Sequence, residues 1–299
     1  MLATSNITDI FLDYLQSEKR YSPHTLTSYA KDLEQFKSYV KEAFDIDEIA
    51  YISTHAMIRS WIVNLSERDF SPRSINRKIA CLKSFYKFLQ RREMIDKNPM
   101  LLISSLKTGK SIPTFVTEEA IIHILDHFSY SDDFSGTRDK LVIELLYGTG
   151  IRLAELVNTQ DRDINLYEQT IRITGKGGKD RFVPLNKSLI KLIKLYNSQK
   201  TLLFENESES FIVTDNGRAA YPGFIYKLVK RHLSMIPVLD KTSPHVLRHT
   251  FATHLLNKGA DLNAIKDLLG HASLAATQVY THNSLDKIKA IFEQAHPKA

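Results

Sequence analysis

Five short segments of the 299-residue chain hold side chains suited to work on an anionic centre. Arg152 follows Gly148-Thr149-Gly150 and opens a helical stretch over residues 153–157, so its guanidinium belongs near a helix N-terminus, where anions are favoured. Lys176 stands in the turn Gly175-Lys176-Gly177-Gly178-Lys179-Asp180, whose glycines let an ammonium reach into a groove and deliver a proton. Ser243-Pro244-His245-Val246-Leu247-Arg248 reads as a capped helix start, and a spacing of three sends His245 and Arg248 off the same side of the first turn. An anion there meets an imidazole, a bidentate guanidinium and free backbone N–H groups. His271 follows Leu269-Gly270, where the glycine ends a helix, and Tyr280 lies nine residues on. Taken singly, each has an ordinary reading: a surface arginine, a basic hairpin turn, a core tyrosine.

Several chemistries fall away. The lysine turn lacks the spacing of a phosphate-binding P-loop, and Leu153 occupies the third glycine position of a dinucleotide fingerprint. His245 and His249 have zinc-ligand spacing, but no Glu lies between them, no third ligand is evident, and Arg248 would oppose a cation. Asp161 and Asp163, on alternate positions, read as a solvated turn. The single cysteine, Cys81, excludes an internal disulfide and a cysteine zinc cage. No metal and no cofactor is therefore expected.

The elements that must position these groups fall into two sets. Residues 1–105 read as a helical bundle: Ile7, Phe11, Tyr14 and Leu15, then Leu26, Tyr29, Leu33, Phe36 and Val40, recur at helical spacing. A third helix covers about 54–65. Ser22-Pro23 and Ser71-Pro72 mark two helix starts, the second opening a helix to about Arg92 with Ile75, Ile79, Leu82 and Leu89 as its buried stripe. A polar, basic linker spans 106–113. Residues 114–299 read as α+β but mostly helical. An apolar helix at 138–147 leads into Gly-Thr-Gly. Strands at Thr170–Thr174 and 181–185 flank the glycine turn. Helices are expected near 188–198, 221–234, Pro244–Asn257, Leu262–Leu269, 274–280 and 285–294. The fold class is thus mainly α with a small β-sheet.

Net charge is +6, and its distribution matters more than its size. Between Ser71 and Ile112 ten basic residues face only Glu93 and Asp96. Arg73, Arg77, Lys83, Lys87 and Arg91 project from the faces of the fourth helix opposite its apolar stripe, a pattern that suits a polyanion, above all DNA. The plainer reading of such a cluster is a solvated face. No apolar run reaches membrane-spanning length, and Asp9 and Asp13 break the only apolar stretch at the N-terminus, so a cytoplasmic protein without a membrane partner is expected.

Order and spacing together resemble one family. Gly148-Thr149-Gly150-Ile151-Arg152-Leu153-Ala154-Glu155-Leu156 resembles the first arginine box of the tyrosine recombinases, or phage integrases. Gly175-Lys176-Gly177 resembles their hairpin lysine, and Ser243 to His249, Leu269-Gly270-His271 and Tyr280 resemble their second box. The likeness spans nearly the whole chain and is strongest to the bacterial XerC/XerD group. It implies a helical core-DNA-binding domain followed by a catalytic domain, with Arg152, Lys176, His245, Arg248, His271 and Tyr280 as the catalytic set. The arginines and His271 would hold the non-bridging oxygens, and Tyr280 would attack phosphorus to form a 3′-phosphotyrosyl bond. His245 would move the phenolic proton, and Lys176 would protonate the 5′-oxygen. Neither metal nor ATP is needed, because the ester keeps the bond energy. The partners implied are double-stranded DNA with inverted half-sites, clamped between the two domains, and a homo- or hetero-tetramer of recombinases; the resemblance also admits an activating DNA translocase. Leu285, Ile288, Ile291 and Phe292 offer an apolar face that could dock on a neighbouring subunit or on its own domain. Resolution of chromosome or plasmid dimers is the expected role, since the chain begins directly with the helical domain. A mobile-element integrase and a non-catalytic architectural DNA-binding protein are the alternatives.

Overall fold

The structure is a computed structural model that describes residues 6–51, 54–109, 115–127, 130–175, 178–205, 208–236, 239 and 242–270. The expected helices at 274–280 and 285–294 lie outside the described residues. The chain divides into two compact units, Met1–Ser111 and Ile112–Ala299.

The first unit is built from α1 (Ile7–Ser17), α2 (Pro23–Phe44), a short 3₁₀ turn (Ile49–Tyr51), α3 (His55–Glu67) and α4 (Pro72–Arg91). Ser22 and Ser71 cap α2 and α4 with their hydroxyls, each followed by the proline in the first turn. The apolar stripes converge on an aromatic core in which Phe11 meets Phe85 at 5.3 Å and Phe36 meets Trp61 at 4.8 Å between ring centroids. Cys81 is buried there, and burial pushes its thiol pKa up. One side of this core is ionic. Lys78 points inward, donates to Asp32 at 2.8 Å and to Gln35, and lies 5.5 Å from the Phe70 ring centroid. Arg77 pairs with Asp32 as well. Lys78 thus leaves the basic surface block, because in the first unit it balances a carboxylate only 1% exposed.

The second unit contains α5 (Glu118–Ile122), widened into a π turn at His123–His127, then α6 (Phe134–Thr149), α7 (Leu153–Asn158), a 3₁₀ turn (Asp161–Asp163), β1 (Ile164–Asn165), β2 (Thr170–Thr174), β3 (Asp180–Pro184), α8 (Lys187–Phe204), α9 (Pro222–Leu233), α10 (Pro244–Asn257) and α11 (Leu262–Leu269). α6 is apolar nearly all round and forms the centre of the unit, packed against α8, α9 and α10. It ends at Gly150, whose φ of +62° and whose distance of 2.5 Å from a would-be Cβ to Phe251 both require glycine. The sheet is antiparallel in the order β1-β2-β3, with Ile171 opposite Val183 and Ile173 opposite Arg181. Among the described residues no helix is long and apolar enough to cross a membrane.

His254 pins the start of this unit to α10. Its Nε2–H donates to the Val116 carbonyl at 2.9 Å, which leaves Nδ1 to accept the Tyr147 hydroxyl at 3.0 Å. Burial, the largest cause, holds its pKa below the ordinary value of 6.5. The unfolded chain therefore binds the proton more readily, so this contribution to stability is complete above that value and is lost as pH falls through it. Urea unfolding of the 112–299 unit, followed by circular dichroism, should show lower stability at about pH 5.5 than at about pH 7.5, and His254→Gln should flatten that difference. In the other unit, Asp32→Ala leaves Lys78 buried without its carboxylate. Trp61, the single tryptophan, should report a loss of about 3–5 kcal/mol in urea unfolding.

Candidate active site

The end of α11 organises the site. A helix leaves its last carbonyls without intrahelical partners, and they carry the negative end of the helix dipole. Here three successive carbonyls each meet a different guanidinium. Leu268 O accepts from Arg181 Nε at 2.9 Å, Leu269 O from Arg248 Nη2 at 2.7 Å, and Gly270 O from Arg152 Nη2 at 3.4 Å. Gly270 caps the helix with a φ of +62°. Arg248 also donates to the Gly150 carbonyl, tying the Gly-Thr-Gly turn to α10.

Among the described residues a single carboxylate is bonded to these cations. Glu155, at the third position of α7, accepts the Arg152 backbone N–H at 2.8 Å and the Arg152 Nη1 at 2.8 Å. Arg181 grips the same carboxylate in a fork, Nη1 to Oε1 at 3.1 Å and Nη2 to Oε2 at 2.7 Å. Burial alone would raise the Glu155 carboxyl, but the Arg181 fork and the Arg152 N–H outweigh it and hold it below its ordinary range. Among the described residues three guanidiniums thus meet one carboxylate and the negative end of α11. Burial first, and then the Arg152 charge, pull the Arg248 pKa down to about 10. Such a cluster is poised to take an anion, and Arg152, with its side chain 37% exposed, is its solvent-facing member.

Arg152 stands at the N-cap of α7, as its sequence suggested, and Arg248 on α10 reaches the same α11 terminus. His245 is exposed on the first turn of α10, whereas Arg248, one turn on, is buried. Ser243 occupies the N-cap of α10, but its hydroxyl makes no capping bond. Lys176, His271 and Tyr280 lie outside the described residues. The turn that carries Lys176 is closed by Gly175 N–H to Lys179 O at 2.8 Å, and Gly178 has a φ of +73°. Among the described residues no group of three His, Cys, Asp or Glu could hold a metal ion.

Glu155 and Arg181 went unread in the sequence, though both carried a signal. Glu155 sits three residues after Arg152, the capping position of a helix start. Arg181 is in phase with Val183 and Leu185, hence on the inner face of its strand.

On the first unit, Arg73, Arg77, Lys83, Lys87 and Arg91 are all exposed along α4. Arg77 is partly committed to Asp32 and to the Ser28 carbonyl. Lys87 and Arg91 line a hollow of about 200 Å³ with Lys19, Tyr14 and Tyr21. That mixture of cations and rings suits a sugar–phosphate backbone.

Removing the Glu155 carboxylate strands Arg181, which is only 4% exposed. Glu155→Ala should cost about 3–5 kcal/mol of stability. Inorganic phosphate should raise the melting temperature of the wild-type protein, because it relieves the excess positive charge of the cluster.

The profile of the phage integrase family matches residues 114–286, and that of the phage integrase N-terminal SAM-like domain matches residues 8–93. The tyrosine recombinase XerC of Chlorobaculum parvum is 35% identical over 97% of this chain and 94% of its own length. That of Bacillus licheniformis is 34% identical over 100% of this chain and 99% of its own. Among solved structures, the XerH site-specific recombinase bound to a palindromic difH substrate in a post-cleavage complex has a TM-score of 0.71. The likeness covers 96% of this chain and 85% of that one at 23% identity, and so speaks for a common fold. The mainly helical fold with its small sheet, the matched profiles and the full-length relatives agree: the chain belongs to the phage integrase family of tyrosine recombinases, enzymes that cut and rejoin DNA.

Proposed function

We propose that this chain is a cytoplasmic, site-specific DNA recombinase of the Xer type, acting on duplex DNA with inverted half-sites as part of a recombinase tetramer. The observation that carries the reading is the arginine cluster at the end of α11, where Arg152 and Arg248 donate to successive carbonyls and Arg152 also pairs with Glu155. In this scheme residues 1–105 supply the core-DNA-binding domain, 106–113 the linker and 114–299 the catalytic domain. Arg73, Arg77, Lys83, Lys87 and Arg91 track phosphates.

The chemistry follows from charge. Attack on a phosphodiester builds negative charge on the non-bridging oxygens, and donors already in place stabilise it without reorganising. Arg152, Arg248 and His271 supply those donors. The Tyr280 phenol oxygen forms the new bond to phosphorus as the 5′-oxygen departs. His245 takes the phenolic proton, and Lys176 gives one to the leaving oxygen. Rejoining reverses each step with a 5′-hydroxyl from the partner strand. The bond energy stays in the protein–DNA ester, so the scheme calls on neither metal nor ATP.

The test is covalent capture from a library of duplexes with randomised arms. Wild-type protein should recover two inverted half-sites around a short spacer, attached after denaturation. Tyr280→Phe should bind the same DNA and capture none; a captured Phe variant would remove Tyr280 as the nucleophile. Replacing Lys83, Lys87 and Arg91 by Gln should lower the dependence of log affinity on log salt by about 0.9 for each phosphate that is no longer neutralised.

A further inference from the structure

Arg181 stands apart from the six residues to which roles were given, yet its guanidinium ties the Glu155 carboxylate to the end of α11. It enters the core because β3 alternates and its inner face holds Arg181 with Val183. A charge there, only 4% exposed, is tolerated through three directed bonds: two to the Glu155 carboxylate and one to the Leu268 carbonyl. It is walled in on the α11 side, since a Cβ built on Gly270 would come within 3.1 Å of its Nη1. So placed, it is held away from solvent and from any phosphate seated on Arg152.

Two consequences concern Arg152 and Arg248, the arginines to which the recombinase reading gives the phosphate. Arg181 takes part of the Glu155 charge, sharing Oε1 with Arg152. Without that share, Glu155 would pair fully with Arg152 and compete with phosphate for its donors. Arg181 also fixes α11 through Leu268, one residue before the carbonyl that holds Arg248 and two before the one that meets Arg152. The placement of Arg152 relative to Arg248 is thus set in part from β3.

We propose that Arg181 is a positioning residue for the strand-cleavage step, holding Arg152 and Arg248 in register on the scissile phosphate through Glu155 and the end of α11. This rests on the recombinase reading above. Lysine cannot replace it, because one ammonium lacks the planar fork that spans both partners.

The experiment uses the full chain and the duplex recovered by covalent capture, under single-turnover conditions with saturating protein. Arg181→Lys should slow formation of the covalent adduct by about 10- to 100-fold, as expected of a small misplacement of reacting groups. Its DNA affinity should equal that of the wild type. A second duplex carries sulfur in place of the 5′-bridging oxygen, a leaving group that needs no proton. Arg181→Lys should slow both duplexes alike. Sulfur restoring the rate would place Arg181 on the leaving-group side and overturn the proposal. So would a defect confined to affinity, or a wild-type rate. Glu155→Gln keeps the shape and loosens the same clamp from its other side. It should slow both duplexes in the same way and gives the answer if the Arg181 variant does not fold; a wild-type rate for it overturns the proposal equally. Failure of the recombinase reading shows separately, in the wild-type and Tyr280→Phe lanes.

Discussion

The terminus of α11 sets the conditions for everything around it in the second unit. Its last carbonyls need donors, and three arginines from β3, α7's N-cap and α10 provide them. This need draws together segments more than a hundred residues apart in sequence. The carboxylate of Glu155 then keeps the cations from driving one another away. Remove the carboxylate and the guanidiniums repel one another; remove the arginines and the α11 carbonyls and a desolvated carboxylate are left without donors.

The same logic recurs in the first unit with a different outcome. Asp32, Lys78 and Gln35 form a closed set that leaves only Arg77 at the surface. There two cations meet one carboxylate, and the buried Lys78 serves packing while Arg77 keeps its own pairing with Asp32. The α11 cluster carries the larger excess among the described residues, three guanidiniums against Glu155, and turns Arg152 to solvent. Counting charges along the chain cannot tell these cases apart, since both read as basic residues near a few acids.

Much of the architecture was legible in the sequence. The Ser-Pro starts of α2 and α4, the apolar stripes, the two strands and the glycine turn between them all follow from local rules. Among the elements that sequence reading missed are the 3₁₀ turn at Ile49–Tyr51, the short α5 with its π turn, the two-residue β1, the first turn of α6 and the last turns of α8 beyond residue 198. Tertiary packing decides such segments. At the site, Arg152 and Arg248 were found because each sits beside a helix-start signal. Arg181 and Glu155 were overlooked because an arginine in a strand and a glutamate in a helix are commonplace until the strand register and the helix cap are put together.

Cys81 has a practical side. It is the only thiol in the chain, it is fully buried, and burial disfavours the thiolate that electrophiles attack. Maleimide dyes should pass the native protein by. One cysteine introduced on an exposed residue outside the basic face of α4, such as Tyr167, would then carry a single fluorophore with no background to engineer away, ready to follow assembly on DNA one molecule at a time.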